Sequence, residues 1–139
     1  GDLRDDRCAA GTGKFLEIMA KTLGFRIEDF GREALLAQKE LNISSMCTVF
    51  AESEVTSLIA RGESPREIAR GLHSSVIRRA VGMINRVSSE GDIVFTGGVA
   101  KNPCMRFLLE EKLGRKVLCP DDPQLIGALG AALLALEIL

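Results

Sequence analysis

Two cysteines each lie a few residues before the predicted first turn of a helix. Cys8 belongs to the segment DDRCAAGTGKF, and Cys47 belongs to the segment ISSMCTVFAESE. Free amide N–H groups and the positive end of a helix dipole stabilise a thiolate, which is the form of cysteine that binds metal. Two ligands do not complete a four-thiolate site. An iron–sulfur group held by these cysteines therefore requires two more from a second copy of the chain.

The cysteines at positions 8, 47, 104 and 119 include no Cys-x-x-Cys pair. This spacing does not support a zinc finger. A disulfide framework is not expected either, because the chain is long enough to build a hydrophobic core. Cys104 and Cys119 have no partner in a motif, and we expect both to be buried, unreactive thiols that pack as small apolar side chains.

The segment AGTGK at positions 10–14 is the first of two glycine turns that could hold a ligand. It is not a P-loop, because Cys8 and Phe15 occupy the positions where that motif needs a glycine and a hydroxyl residue. Two interpretations remain open: a turn that opens a helix, or a cradle for a cofactor beside Cys8.

The second glycine turn, Gly97-Gly98, lies between a predicted strand and a predicted helix. Open α/β sheets usually bind ligands at this position, and paired glycines let a ring or a phosphate approach the main chain. The same residues also suit a purely structural turn. Lys101 either contacts a phosphate or remains a solvated charge.

The apolar patterns that position these motifs predict four helices followed by strand, helix, strand and helix. In the second helix we expect Leu35, Leu36 and the Phe30 region to face the core. The predicted core stripe of the long fourth helix is Ile68, Leu72, Val76, Ala80, Met83 and Val87. The predicted elements are helices over 13–23, 28–38 and 49–62, a long helix from Pro65, a strand at 93–96, a helix at 102–113, a strand at 116–119, and a helix from Asp122-Pro123 to Ile138.

The predicted βαβα unit after residue 91 should have a right-handed crossover. Two strands do not form a stable sheet, so we expect further strands from residues upstream of Gly1. Since the chain also begins with glycine, we interpret it as a fragment of a longer protein.

The composition indicates a globular domain, or part of one, with 139 residues and 46% apolar content. Eighteen basic and nineteen acidic residues give a net charge of -1 and are dispersed, which argues against a nucleic-acid partner. No uncharged apolar run reaches the ~20 residues that cross a bilayer, and the first residues do not form a secretory signal. We therefore expect a cytoplasmic protein without a membrane partner.

Three segments together resemble the ATPase activators of 2-hydroxyacyl-CoA dehydratases. These activators are grouped with the ATPase subunits of benzoyl-CoA reductase in the BadF/BadG/BcrA/BcrD family. The resemblance covers nearly all of the chain. The segments are DRCAAGTGKFL around Cys8, ISSMCTVFAESEV around Cys47, and GGVAKN from Gly97 followed by QLIGALGAA from Gln124.

The resemblance implies an α/β fold: the helix-rich part of the second lobe of an actin-like, sugar-kinase-like ATPase, ending in a βαβα unit. It also implies a division of this single-domain fragment into three parts. Residues 1–62 would be cluster-binding helices, 63–90 a long helix, and 91–139 the adenosine-binding part.

The resemblance further implies a homodimer whose two chains share one 4Fe-4S cluster, with Cys8 and Cys47 as the ligands from each chain. Such activators couple ATP hydrolysis to the transfer of one low-potential electron to a dehydratase or reductase partner. Their electron donor is a ferredoxin or flavodoxin.

In the same family, the turn of Gly97, Gly98 and Val99 corresponds to the adenosine-binding loop. Lys101 and Gln124 are then further cofactor-binding residues, and Gln124 begins the helix that lines the adenine pocket. The phosphate-binding hairpins and the magnesium ligands are expected upstream of Gly1, so the chain alone should lack a complete ATP site.

Two alternatives remain open. The chain could be a cluster-free nucleotide-binding module of the sugar kinase and actin class, in which Cys8 and Cys47 are core thiols. It could also be an interaction platform that dimerises through the helices next to these cysteines. His73, the one histidine, is interpreted as a partly solvated or hydrogen-bonded side chain and not as a catalytic base.

Overall fold

The computed structural model describes residues 11–44, 47–87 and 90–139. Within these ranges the chain forms six α-helices and one short 3-10 turn. The helices are α1 (Thr12–Thr22), α2 (Ile27–Leu35), α3 (Thr48–Ala60), α4 (Pro65–Val87), α5 (Pro103–Leu113) and α6 (Ile126–Ile138), and the 3-10 turn covers Gly98–Lys101.

Helix α5 shows how local sequence signals set the helix ends. Its N-cap, Asn102, accepts hydrogen bonds at Oδ1 from the backbone N–H groups of Cys104 and Met105, at 3.0 and 3.1 Å. Pro103 occupies the first turn, and Gly114 ends the helix in the left-handed conformation at φ 67°. Both boundaries agree with the prediction from the sequence.

The first half of α4 lies at the centre of the hydrophobic core, where α2 and α5 pack against it. The buried residues of α4 run from Ile68 to Ile77. The predicted core stripe is therefore wrong beyond Val76. Ala80 is half-buried, while Met83 and Val87 are exposed.

The buried face of α2 agrees with the prediction at Phe30 and differs from it at Leu35 and Leu36. Phe30, Gly31 and Ala34 are buried, whereas Leu35 and Leu36 are exposed. Phe30 and Ala34 are four residues apart and lie on one face, and Leu35 points away from that face because each residue turns the helix by about 100°. Leu36 lies beyond the last helical residue.

The two predicted strands are present only as one parallel bridge between Val94 and Leu118. The Phe95 N–H donates to the Leu118 carbonyl at 2.8 Å, and the Leu118 N–H donates to the Ile93 carbonyl at 2.9 Å. The described residues supply no third strand to extend the bridge into a ladder, and Val94 and Leu118 therefore remain half exposed. The parallel direction nevertheless agrees with the predicted βαβ connection.

Helix α6 begins at Ile126, later than the predicted start at Asp122-Pro123, because residues 122–125 form a turn closed by a hydrogen bond from the Leu125 N–H to the Asp122 carbonyl. None of its residues is buried, although the helix is apolar around its whole circumference. A helix of this composition is typical of the interior of a larger structure. Among the described residues, no helix combines the length and apolarity needed to span a membrane.

One hydrophobic cluster joins residues of all three predicted parts, including Leu16, Leu72 and Leu108. The division of the chain at residues 62 and 90 stays a prediction.

Candidate functional site

A cleft of about 480 Å³ lies between α1, α2 and the start of α5. Its walls come from four short segments that are distant in sequence. The lining residues are Gly13, Leu16, Glu17, Ile27, Glu28, Gly31, Gly98, Val99, Lys101, Asn102, Pro103 and Gln124.

The two glycine turns singled out from the sequence meet at this cleft. A Cβ atom placed on Gly13 would lie 3.6 Å from Val99 Cγ2, and one placed on Gly98 would lie 3.1 Å from Gln124 Nε2. Because neither glycine carries a side chain, Val99 and Gln124 can approach the main chain this closely at the two turns.

Gly97 shapes the second turn and does not line the cleft. Its φ of 86° lies in the left-handed region, which favours glycine, and its N–H donates to the Pro123 carbonyl at 2.7 Å. This hydrogen bond ties the turn to the segment that carries Gln124. Of the five predicted cofactor-binding residues, the structure thus places Gly98, Val99, Lys101 and Gln124 around one cavity, with Gly97 beside it.

Both signs of charge are present at the rim of the cleft. Lys101 is exposed, while Glu17 pairs with Lys14 at 3.4 Å and Glu28 pairs with Arg26 at 3.5 Å. The acidic side chains are therefore partly neutralised by their neighbours, and the Lys101 ammonium can contact an anionic ligand. Apolar surface from Ile27 and Val99 lies beside these charges and suits a flat ring.

Cys47 is the N-cap residue of α3, as its position in the sequence predicted. It is half-buried, and its carbonyl accepts the first helical hydrogen bond from the Ala51 N–H at 2.8 Å. Cys8 lies outside the described residues, so its predicted role stays a prediction. Helix α1, which begins four positions after Cys8 in the sequence, packs against α3. In residues 11–44, 47–87 and 90–139, no three His, Cys, Asp or Glu side chains converge on a possible metal site.

The two remaining cysteines differ in burial. Cys104 is fully buried, and burial raises the pKa of its thiol to about 11, which confirms the expectation of a buried thiol with little thiolate character at neutral pH. Cys119 is only half-buried, so the expectation of a buried thiol is wrong there. Cys119 directly follows Leu118 of the parallel bridge, and the neighbouring described residues shield its side chain only in part.

Sequence reasoning missed a polar connection between the core and the cleft. His73 is fully buried, with Nδ1 2.7 Å from the Ala69 carbonyl oxygen and Nε2 2.9 Å from Asn102 Nδ2. Asn102 lines the cleft. The Asn-Pro pair identified the start of α5, but no local signal in the sequence reveals that His73 contacts this cap.

The burial of His73 predicts a pH-dependent stability. Burial lowers the pKa of His73 from 6.5 to about 4. Between these values the unfolded chain binds a proton that the folded chain does not, so the unfolding free energy falls as pH falls. We expect urea denaturation to show about 2 kcal/mol less stability at pH 5 than at pH 7. A folded His73→Gln variant should lack most of this loss, and an equal loss in both proteins would contradict the prediction.

Comparison with known proteins shows the family. The model of the "BadF/BadG/BcrA/BcrD ATPase family" matches residues 4–135. The (R)-2-hydroxyglutaryl-CoA dehydratase activating ATPase of Acidaminococcus fermentans is 47% identical over 131 residues, which cover 94% of this chain and 50% of that protein. The 2-hydroxyisocaproyl-CoA dehydratase activator of Clostridioides difficile is 41% identical over 135 residues, covering 97% of this chain and 51% of the relative.

A solved structure of the Clostridium difficile activator of 2-hydroxyisocaproyl-CoA dehydratase, with bound ADPNP, superposes with a TM-score of 0.84 and 40% identity. The match covers 94% of this chain and 49% of that one. The fold is thus that of an actin-like ATPase, in a helix-rich part with little strand. The chain belongs to the BadF/BadG/BcrA/BcrD ATPase family and spans about half the length of the relatives it matches.

Proposed function

We propose that the full-length protein is an ATP-dependent one-electron donor that activates a 2-hydroxyacyl-CoA dehydratase or a benzoyl-CoA reductase-type enzyme. The observation that carries this proposal is the cleft in which the turns at Gly13 and Gly98 meet. Family membership supports the ATPase activity, and the similarity to dehydratase activators supports the activation of a dehydratase.

In this proposal the cleft binds the nucleoside part of ATP. Gly98 contributes main chain without a side chain, Val99 an apolar contact, Gln124 an amide and Lys101 a positive charge. Gly97 holds the turn in place. The magnesium ligands and the phosphate-binding hairpins belong to residues outside this chain, as the resemblance implies.

The same proposal assigns Cys8 and Cys47 as the ligands that each chain of a homodimer gives to one shared 4Fe-4S cluster. Cys47 fits this role because it is only half-buried and is the N-cap of α3, where the first N–H groups of the helix have no intrahelical acceptor. When bound, such a cluster supplies a one-electron carrier whose potential the protein can tune. A cytoplasmic ferredoxin or flavodoxin would supply the electron.

Helix α1 offers a physical link between the two proposed sites. It begins shortly after Cys8 in the sequence, and its residues Gly13, Leu16 and Glu17 form one wall of the cleft. The turn at Gly98–Lys101, which contacts the start of α1, forms the adjoining part of the lining. A nucleotide that contacts both parts would restrain the position of α1, which is the helix that follows a cluster ligand.

Calorimetric titration of the full-length protein with ADPNP tests the nucleotide site. A Gly98→Leu substitution should weaken binding by about tenfold or more, since the side chain would cover the main chain and displace Gln124. Gly82→Leu is the matched control because a Cβ at Gly82, which is exposed on α4, meets nothing within 4 Å. Absence of ADPNP binding by the unsubstituted protein, or equal affinity in the Gly98→Leu variant, would contradict the assignment.

A further inference from the structure

His73 contacts the side chain of Asn102, a residue that also lines the cleft. The imidazole is fully buried beside the Phe30 ring, with ring centroids 4.7 Å apart, and it does not line the cleft. Burying a polar ring is costly unless both of its nitrogens find partners. The partners here are the Ala69 carbonyl and the Asn102 side-chain amide.

These partners fix the tautomer of the ring. The Ala69 carbonyl can only accept, so Nδ1 carries the hydrogen and donates across the 2.7 Å contact. In the neutral ring Nε2 then has a lone pair, which accepts from Asn102 Nδ2 at 2.9 Å. Burial favours this neutral form by lowering the pKa of His73 to about 4.

The tautomer in turn fixes the orientation of the Asn102 amide. Its NH₂ group must face the lone pair of His73, which leaves Oδ1 to accept from the N–H groups of Cys104 and Met105. A flipped amide would place an oxygen against the His73 lone pair and an NH₂ group against two N–H donors. Gly31 also approaches this amide closely, since a Cβ placed on Gly31 would lie 2.2 Å from Oδ1. Asn102 therefore has little room to move elsewhere.

We infer that His73 is a positioning residue for the cleft: by accepting from Asn102, it holds the junction between the 98–101 turn and α5 in the geometry that receives the nucleotide. Asn102 lies at the end of that turn, and its N–H donates to the Val99 carbonyl at 3.0 Å. The inference rests on the proposed nucleotide function of the cleft. It assigns a role in the site to His73, a core residue that does not itself line the cleft.

The test begins with ¹⁵N NMR of the imidazole in the unsubstituted full-length protein, which needs no ligand. We expect the neutral Nδ1–H tautomer at pH 6 and above. A ring protonated at Nε2 would overturn the inference whether or not the protein binds nucleotide. If the tautomer is as expected but ADPNP does not bind, the proposed function fails and the His73–Asn102 contact stands as a structural link alone.

The second part compares ADPNP affinity in two variants. His73→Leu removes the acceptor and should weaken binding about tenfold, while His73→Gln places an amide oxygen near the position of Nε2 and should restore affinity to within about threefold. Unchanged affinity in a folded His73→Leu protein, or equal weakening in both variants, would overturn the inference.

A third variant keeps the question decidable if His73→Leu does not fold. Asn102→Asp retains an N-cap residue but replaces the NH₂ donor by an oxygen that faces Nε2. The groups around the ring are Arg70 on α4, whose charge lowers the His73 pKa, Phe30 from α2, and residue 102 itself. The new carboxylate should make His73 titrate at a higher pH than in the unsubstituted protein, and an unchanged titration would contradict the contact.

Discussion

Replacing Cys47 by serine is expected to leave the full-length protein without a stable iron–sulfur cluster after anaerobic reconstitution with iron and sulfide. In a symmetric dimer one substitution removes two of the four proposed thiolates, and a serine hydroxyl is not deprotonated at neutral pH. Iron should fall from about four atoms per two chains to near background. Chemical iron and sulfide analysis measures this directly.

The matched control for that experiment is Cys119→Ser. Cys119 is also half-buried, but it lies next to Pro120 in the segment after the short bridge and belongs to neither cysteine motif. The iron content of the Cys119→Ser variant should equal that of the unsubstituted protein. Retention of iron by Cys47→Ser would show that this cysteine is not a cluster ligand, whereas an unsubstituted protein that takes up no iron would favour the cluster-free nucleotide module.

Gly31→Ala is expected to lower the unfolding free energy by about 2 kcal/mol, although alanine normally stabilises a helix interior by up to about 1 kcal/mol relative to glycine. The new Cβ would lie 2.2 Å from Asn102 Oδ1 and 2.8 Å from Pro103 Cδ. Neither atom can retreat easily, because Oδ1 caps α5 and the proline ring is part of its first turn. Helix α2 must therefore move away from α5.

Gly82→Ala separates this packing effect from helix propensity. Gly82 is exposed within α4, and a Cβ there meets nothing within 4 Å. Urea denaturation should show that this variant is more stable than the unsubstituted protein by up to about 1 kcal/mol. If Gly31→Ala were stabilised to the same extent, the close contact between α2 and α5 would be refuted.

Features set by local chemistry could be predicted from the sequence. Helix α5 begins after Asn102 and ends at Gly114 because capping and the left-handed turn depend on neighbouring residues only. Cys47 at the start of α3 was predicted for the same reason. The meeting of Gly98 with Gln124 followed from the family resemblance.

Features that depend on distant partners could not be predicted. Met83 and Val87 continue the apolar period of α4, yet they are exposed because burial needs an element to pack on them. The His73–Asn102 contact joins residues 29 positions apart and leaves no local pattern. The approach of the Gly13 turn to Val99 likewise became visible only in the fold.

The most direct test of the proposed shared cluster is native mass spectrometry of the full-length protein, reconstituted and sprayed without oxygen. We predict one species with the mass of two chains plus a single 4Fe-4S cluster, which separates into cluster-free monomers when the iron is chelated. A monomer that retains a complete cluster, or a dimer that never takes up iron, would contradict it.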